Sequence, residues 1–279
     1  MNTIKPIFVQ VAMLAALALA PVPVARGDMD MDGGAGGTNL QALVTAALNP
    51  VSKMVKVPFQ NDFNFGVGPN HVTQYTLDIE PIVPFTLNED WNLITRTIIP
   101  ITSQPSAGPG LSSMAGLGDI NPSIFLSPAN GRHQFWGVGP TFTFPTGTSP
   151  PLTSGQWTLG PSAVYLATPG PWMIGVVANE QWSVGGWRDR NVSSTYIQPM
   201  VIYHLPRGWY LASVPVITAD WEADSGNRWT VPVGGGVGKI VKVGRRPLNL
   251  QLQAFYNVER PHDGPDWQLR VQILFLFPK

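Results

Sequence analysis

The sequence predicts an all-β chain, an antiparallel transmembrane β-barrel of about 12 strands preceded by a signal peptide and a short amphipathic helix. Three observations carry this. Segments of strand length alternate apolar and polar residues at a period of two. Compact turns alternate with longer loops along the chain. Tryptophans gather at the ends of the expected strands.

The alternation is clearest in the hairpin from Val72 to Gln104. Its first arm places Thr73, Tyr75, Leu77, Ile79, Pro81, Val83 and Phe85 on one face, and Gln74, Thr76, Asp78, Glu80 and Ile82 on the other. Asn88-Glu89-Asp90 turns the chain. The second arm sets Trp91, Leu93, Thr95, Thr97, Ile99 and Ile101 against Asn92, Ile94, Arg96 and Ile98. A soluble sandwich buries the apolar face, whereas a membrane barrel turns it to lipid and lines a wet interior with the charges.

In chain order, Lys5 lies in a short basic head, Ile7–Ala20 is an apolar run, and Ala25-Arg26-Gly27 supplies small residues for cleavage. Residues 1–27 thus read as a secretory signal peptide, too short to span a membrane. Charged residues make up 12% of the chain, about half of the roughly 25% usual in soluble domains. The formal net charge is +0, which argues against nucleic-acid partners. Cysteine is absent, so disulfides and thiolate metal sites are excluded.

Residues 28–57 read as an acidic, glycine-rich tether and a helix. Asp28, Asp30, Asp32 and Gly33 start like a calcium loop, but position 12 is Asn39, where a bidentate Glu is required; no metal or other cofactor is expected. Leu40, Leu43, Val44, Ala47 and Leu48 fall at helical spacing, with Thr38 or Asn39 as cap and Asn49-Pro50 as stop. This helix plugs a lumen, lies on the membrane or covers a barrel end, and the sequence leaves the three open.

Residues 58–279 form the expected barrel. Strands are expected at Phe59–Val67, Val72–Phe85, Trp91–Ser103, Leu117–Ser127, Phe135–Phe144, Trp157–Ala167, Trp172–Val184, Ser193–His204, Trp209–Trp221, Arg228–Val241, Leu248–Val258 and Trp267–Phe277. Turns such as Thr168–Pro171 and Leu205–Gly208 are compact, and the alternate connections include long loops at 104–116 and 145–156, the pattern of outer-membrane barrels. Trp91, Trp136, Trp172 and Trp209 follow compact turns and form an expected inner aromatic girdle. Trp157, Trp182, Trp221, Trp229 and Trp267 form the outer one.

By alternation Asp78, Glu80, Arg96, Asp119, Asn121, Asp220, Arg228, Glu259 and Arg270 face inward as pore-lining residues. Charges of both signs on a barrel wall pair across the interior or set up a field that selects solutes. Tyr196, Tyr210 and Phe255 also face inward, where they offer rings to an aromatic solute. Gly234–Lys239 lacks the first Gly and the final Ser/Thr of a phosphate loop, so it reads as a strand with small inward residues. His71, His133 and His262 fall in turns or loops and His204 ends a strand, none with a Ser in a nucleophile setting; no catalytic residue is expected.

Several longer stretches carry a family resemblance. Asn61-Asp62-Phe63-Asn64-Phe65-Gly66-Val67-Gly68-Pro69, the segment Asn88–Pro100, Gly116–Pro122, Ala219–Pro232 and Gly264–Arg270 together resemble the bacterial outer-membrane transporters grouped with the meta-pathway of phenol degradation, often mislabelled neuromedin U. The resemblance covers about Pro58 to Lys279 and implies a barrel with a transport role in the outer membrane of a Gram-negative bacterium. One departure is the chain end, where Pro278-Lys279 follows Phe277 instead of an aromatic residue closing the chain. The expected function is a passive channel for small molecules, hydrophobic or aromatic ones among them, with outer-membrane lipid as surroundings. The alternatives are a closed interaction barrel whose outer loops bind a partner, and a membrane-embedded hydrolase.

Overall fold

The computed structural model describes residues 36–243 and 246–277. The expected signal peptide and the calcium-loop-like stretch lie outside the described residues. One helix, α1 (Gly36–Leu48), precedes twelve staves. These are β1 (Val55–Val67), β2 (Val72–Ile79, resuming at Ile82–Thr86), β3 (Trp91–Gln104), β4 (Met114–Leu117, resuming at Asn121–Pro128), β5 (Gln134–Thr143) and β6 (Gln156–Ala167). They continue with β7 (Trp172–Gly186), β8 (Ser193–His204), β9 (Trp209–Ser213, resuming at Ile217–Asp220), β10 (Trp229–Val243), β11 (Arg246–Glu259) and β12 (Trp267–Phe277).

Each stave pairs antiparallel with the next, and β12 returns to β1 from Val55↔Phe277 to Phe65↔Trp267, which closes the barrel. Closure leaves no sheet edge unpaired, the condition for strands to cross lipid. Three staves are interrupted. Pro81 has no N–H to give the ladder, so β2 bends there, although Glu80 N still donates to Pro58 O at 3.0 Å and Pro81 O accepts from Thr97 N at 3.1 Å. Pro215 interrupts β9, and the freed Val214 N–H donates to Gln253 Oε1 at 3.0 Å.

The outer face is apolar and open, with Leu211, Leu250, Leu252, Ile174 and Val237 all exposed. Eight of the nine expected girdle tryptophans lie toward stave ends: Trp136, Trp172 and Trp209 exposed at the compact turns, with Trp91 against Trp136 at 5.9 Å, and Trp157, Trp182, Trp221 and Trp267 exposed at the other end. Trp229 packs edge-on against Trp221 at 5.5 Å, completing the nine. Trp172 and Trp182 stand about 33 Å apart along β7 at roughly 3.3 Å per residue. A strand tilt of about 40° brings this to about 25 Å, the height of the apolar band in outer-membrane barrels. Polar groups on this face are satisfied in place: the Tyr75 hydroxyl donates to Asn61 Oδ1 at 2.8 Å, and Asn61 Nδ2 donates to Val271 O at 3.1 Å.

Small residues on β10 make room for a ring inside the barrel. Tyr210 is fully buried and its hydroxyl donates to Asn249 Oδ1 at 2.7 Å. A Cβ at Gly238 would lie 2.1 Å from that ring. Gly238→Ala is therefore expected to cost about 1–3 kcal/mol by overpacking, read as a lower urea midpoint of the refolded protein. Adding Tyr210→Leu should remove that sensitivity, and additive losses would refute the contact.

Candidate functional site: the barrel lumen

The compact-turn end of the lumen is apolar. Inward residues of most staves, among them Ile94, Phe125, Leu166, Met173, Ile202 and Leu276, form one buried cluster with Leu43, Val44, Ala47 and Val51. Both the beginning of β1 and the end of β12 lie at this end, so the segment preceding β1 reaches it directly. Of the three placements open to α1, the structure shows it packed into this end. The helix begins at Gly36, ahead of the expected caps Thr38 and Asn39. It ends before Asn49, whose Oδ1 accepts from Val51 N at 3.0 Å.

Lys56 fastens the helix to the wall. It is the second residue of β1, faces inward and is 1% exposed. Its ammonium donates to the carbonyl oxygens of Asn49 and, at 3.4 Å, of Ala46. A cation there meets the carbonyls that a helix leaves unpaired at its C-terminus and the negative end of its dipole. Lys56 lies outside the sequence-predicted strand, which starts at Phe59; the alternation of Val55, Val57 and Phe59 with Lys56, Pro58 and Gln60 carries the signal that extends it.

Above the apolar end two ion pairs each join neighbouring staves, and their arginines reach on across the lumen. Arg96 on β3 donates to Glu80 on β2 from Nη2 at 3.0 Å and Nε at 3.3 Å. The same Nη2 reaches the Tyr196 hydroxyl on β8, on the opposite wall, at 3.5 Å. Arg270 on β12 donates to Asp62 on β1 at 2.9 and 3.2 Å, and Asp62 also accepts from Gln60 Nε2 at 2.9 Å. Arg270 Nη1 spans to Val214 O in the β9 break at 3.0 Å. Asp62 is not in the expected pore-lining set, yet its alternation with Phe63 and Phe65 puts it inward.

The remaining expected wall residues divide. Asp78 lines a central cavity of about 190 Å³ together with Tyr196, Gln198, Asn257 and Gln268. Asn121 faces inward and donates from Nδ2 to Gln181 Oε1 at 3.1 Å and Thr143 Oγ1 at 2.9 Å. Asp119 sits in the β4 interruption, where its carboxylate holds the loop after β5 by accepting from Gly147 N at 3.0 Å and Ser154 N at 2.7 Å. Asp220 is at the outer rim, paired with Arg190 at 2.7 Å. Arg228 lies in the loop before β10, donating to Ala223 O at 3.0 Å with its guanidinium 5.9 Å from the Trp221 ring. Glu259 is exposed at the end of β11. The inward aromatic rings are engaged within the chain: Phe255 lies under the Arg270 guanidinium at 5.4 Å, Arg96 reaches Tyr196, and Tyr210 bonds Asn249.

Among the described residues, His71 and His262 lie near Asp266 and Asp263, and both His204 ring nitrogens are buried without a partner. No Ser–His hydrogen bond occurs among them.

No family model matches the chain, and no curated protein matches it in sequence. Among solved structures, it is similar to the COG4313 outer membrane channel from Pseudomonas putida F1, with 18% identity, a TM-score of 0.60, and coverage of 80% of this chain and 94% of that one. It is also similar to the NanC porin, with 10% identity, a TM-score of 0.50, and coverage of 80% of this chain and 100% of that one. With its closed sheet of twelve staves and apolar outer face, the chain has the fold of a bacterial outer-membrane β-barrel.

Proposed function

We propose that the protein is a passive outer-membrane channel or transporter for small molecules, hydrophobic and aromatic ones among them, and that it belongs to the transporter family its motifs resemble. The observation that carries this is a lumen that stays polar and partly empty above its apolar end. Cavities of about 190 and 90 Å³ adjoin the two arginine–carboxylate pairs. A barrel built only to be closed would fill that space with side chains, as eight-stranded barrels do. The likeness to a COG4313 channel and to a porin supports a conducting role. The expected pore-lining set narrows to Asp78, Glu80, Arg96, Asn121 and Arg270, with Asp220 and Glu259 at the mouth.

The second reading, a closed barrel whose outer loops bind a partner, draws on the docked helix and the Arg96–Tyr196 contact across the lumen. Single-channel conductance of the refolded mature protein in a planar bilayer separates the two. Stable steps of defined size support the channel. No steps, with folding verified by gel mobility that changes on boiling, support the closed barrel. The double variant Arg96→Ala, Glu80→Ala removes one bridge without leaving a buried charge unpaired, and a larger unit conductance is expected. Unchanged conductance would show that this bridge does not bound the path.

A further inference from the structure

We propose that the inner cavity of the lumen, between α1 and the two arginine–carboxylate pairs, binds the carboxylate group of a small acid through Lys56 and Gln251. The inference rests on the channel reading and names a class of solute for that lumen. The cavity, of about 90 Å³, is bounded on one side by Ala47, Leu48 and Pro50 and on the other by Glu80, Arg96 and Arg270. Its lining holds three cations and one carboxylate. Glu80 is engaged by Arg96, and Arg270 by Asp62, which lines the other cavity with Asp78. Lys56 is left. It is 1% exposed and, among the described residues, no carboxylate pairs with it. The carbonyls of Asn49 and Ala46 take two of its N–H groups, but they are neutral and leave its charge in place. A buried charge without a counter-charge is costly. A ligand that brings the counter-charge relieves that cost.

A second observation in the same cavity points to the same kind of ligand. Gln251 on β11 lines it, is 6% exposed, and its Nε2 has no partner among the described residues. Its rung neighbours are Gly238 on β10, which has no side chain, and Gln272 on β12. A buried amide N–H without an acceptor calls for water or a ligand. The ammonium and the amide are both donors. A carboxylate is their complement, an acceptor with two oxygens and a single negative charge, and hydrogen bonds between ionised partners are the strong ones. An engineered protein cavity of about 150 Å³ holds benzene, so one of about 90 Å³ admits a group of a few heavy atoms. Ile82, Met200 and Leu274 line the remainder and supply apolar contact for a short hydrocarbon stem.

Thermal unfolding of the refolded barrel in detergent tests the site. Sodium acetate should raise the midpoint above that in sodium chloride of equal concentration, whereas the isosteric acetamide and acetamidinium should not. Gln251→Met, which keeps the side-chain length, should raise the acetate concentration for a half-maximal shift about tenfold, the worth of one hydrogen bond to a charged group. Because that amide has no partner within the chain, the acetate-free midpoint of this variant should not fall. Lys56→Met should abolish the acetate shift. A shift equalled by chloride or acetamide, or one that survives either substitution unchanged, overturns the proposal. So does a lower acetate-free midpoint in Gln251→Met, which would mean that the amide is already bonded within the chain. Conductance of the same preparation in a planar bilayer judges the channel reading separately. Conductance without an acetate shift refutes the site and leaves the channel. An acetate shift without conductance upholds the site and refutes the channel.

Discussion

Arg270→Met is expected to lower the stability of the barrel by about 3–5 kcal/mol, the usual consequence of removing one partner from a buried ion pair. The Arg270 and Asp62 side chains are 3% and 7% exposed, so the carboxylate left behind has little water to turn to. Arg270 also holds the β9 break through Val214 O and covers the Phe255 ring. Urea unfolding of the refolded protein in micelles gives the measurement. The double variant Asp62→Leu, Arg270→Met leaves no charge stranded and should recover much of the loss. Equal losses in the single and double variants would mean that the Val214 contact, and not the charge pair, carries the effect.

Lys56→Met should loosen the helix from the wall while nearly preserving the volume of the side-chain stem. Hydrogen bonds to charged groups are worth about 1.5–3 kcal/mol, and roughly 1.4 kcal/mol is a tenfold change in an equilibrium. The fraction of molecules with α1 undocked is therefore expected to rise about tenfold or more. In a planar bilayer this appears as more frequent open events of unchanged unit size. Conductance indistinguishable from wild type would show that α1 does not close the path, or that Leu43, Val44 and Ala47 hold it without the lysine. Adding Leu43→Asp, which puts a carboxylate into the apolar socket, separates those two outcomes.

The staves were legible where one face is apolar and the other polar. Ser193–His204 and Trp267–Phe277 have the bounds that alternation predicts. The interruptions at Pro81, at Gly118–Ile120 and at Pro215 were not legible, since alternation runs on through each of them and a barrel stave resumes beyond. The apolar end of the lumen was hidden for a related reason. On β8, inward Met200 and Ile202 alternate with outward Val201 and Tyr203. Without polarity contrast, the pattern cannot say which face meets lipid and which meets a helix. Charges near the middle of staves, such as Asp78, Arg96 and Arg270, could be assigned a face from sequence. Asp119 and Arg228 stand at interruptions and ends, where an error of a few residues exchanges wall for loop.

The connection between α1 and β1 has a kinetic consequence. Residues 49–54 alone separate the end of the helix from the first stave, and Lys56 stands just beyond them. So short a tether keeps a released helix at an effective concentration of about millimolar or higher relative to its own socket. Rebinding is then intramolecular and fast, so on the proposed channel reading conduction should flicker and return to rest unless something occupies the vacated socket. Lengthening this connection with a flexible Gly-Ser insert should prolong each open dwell without altering the pore itself.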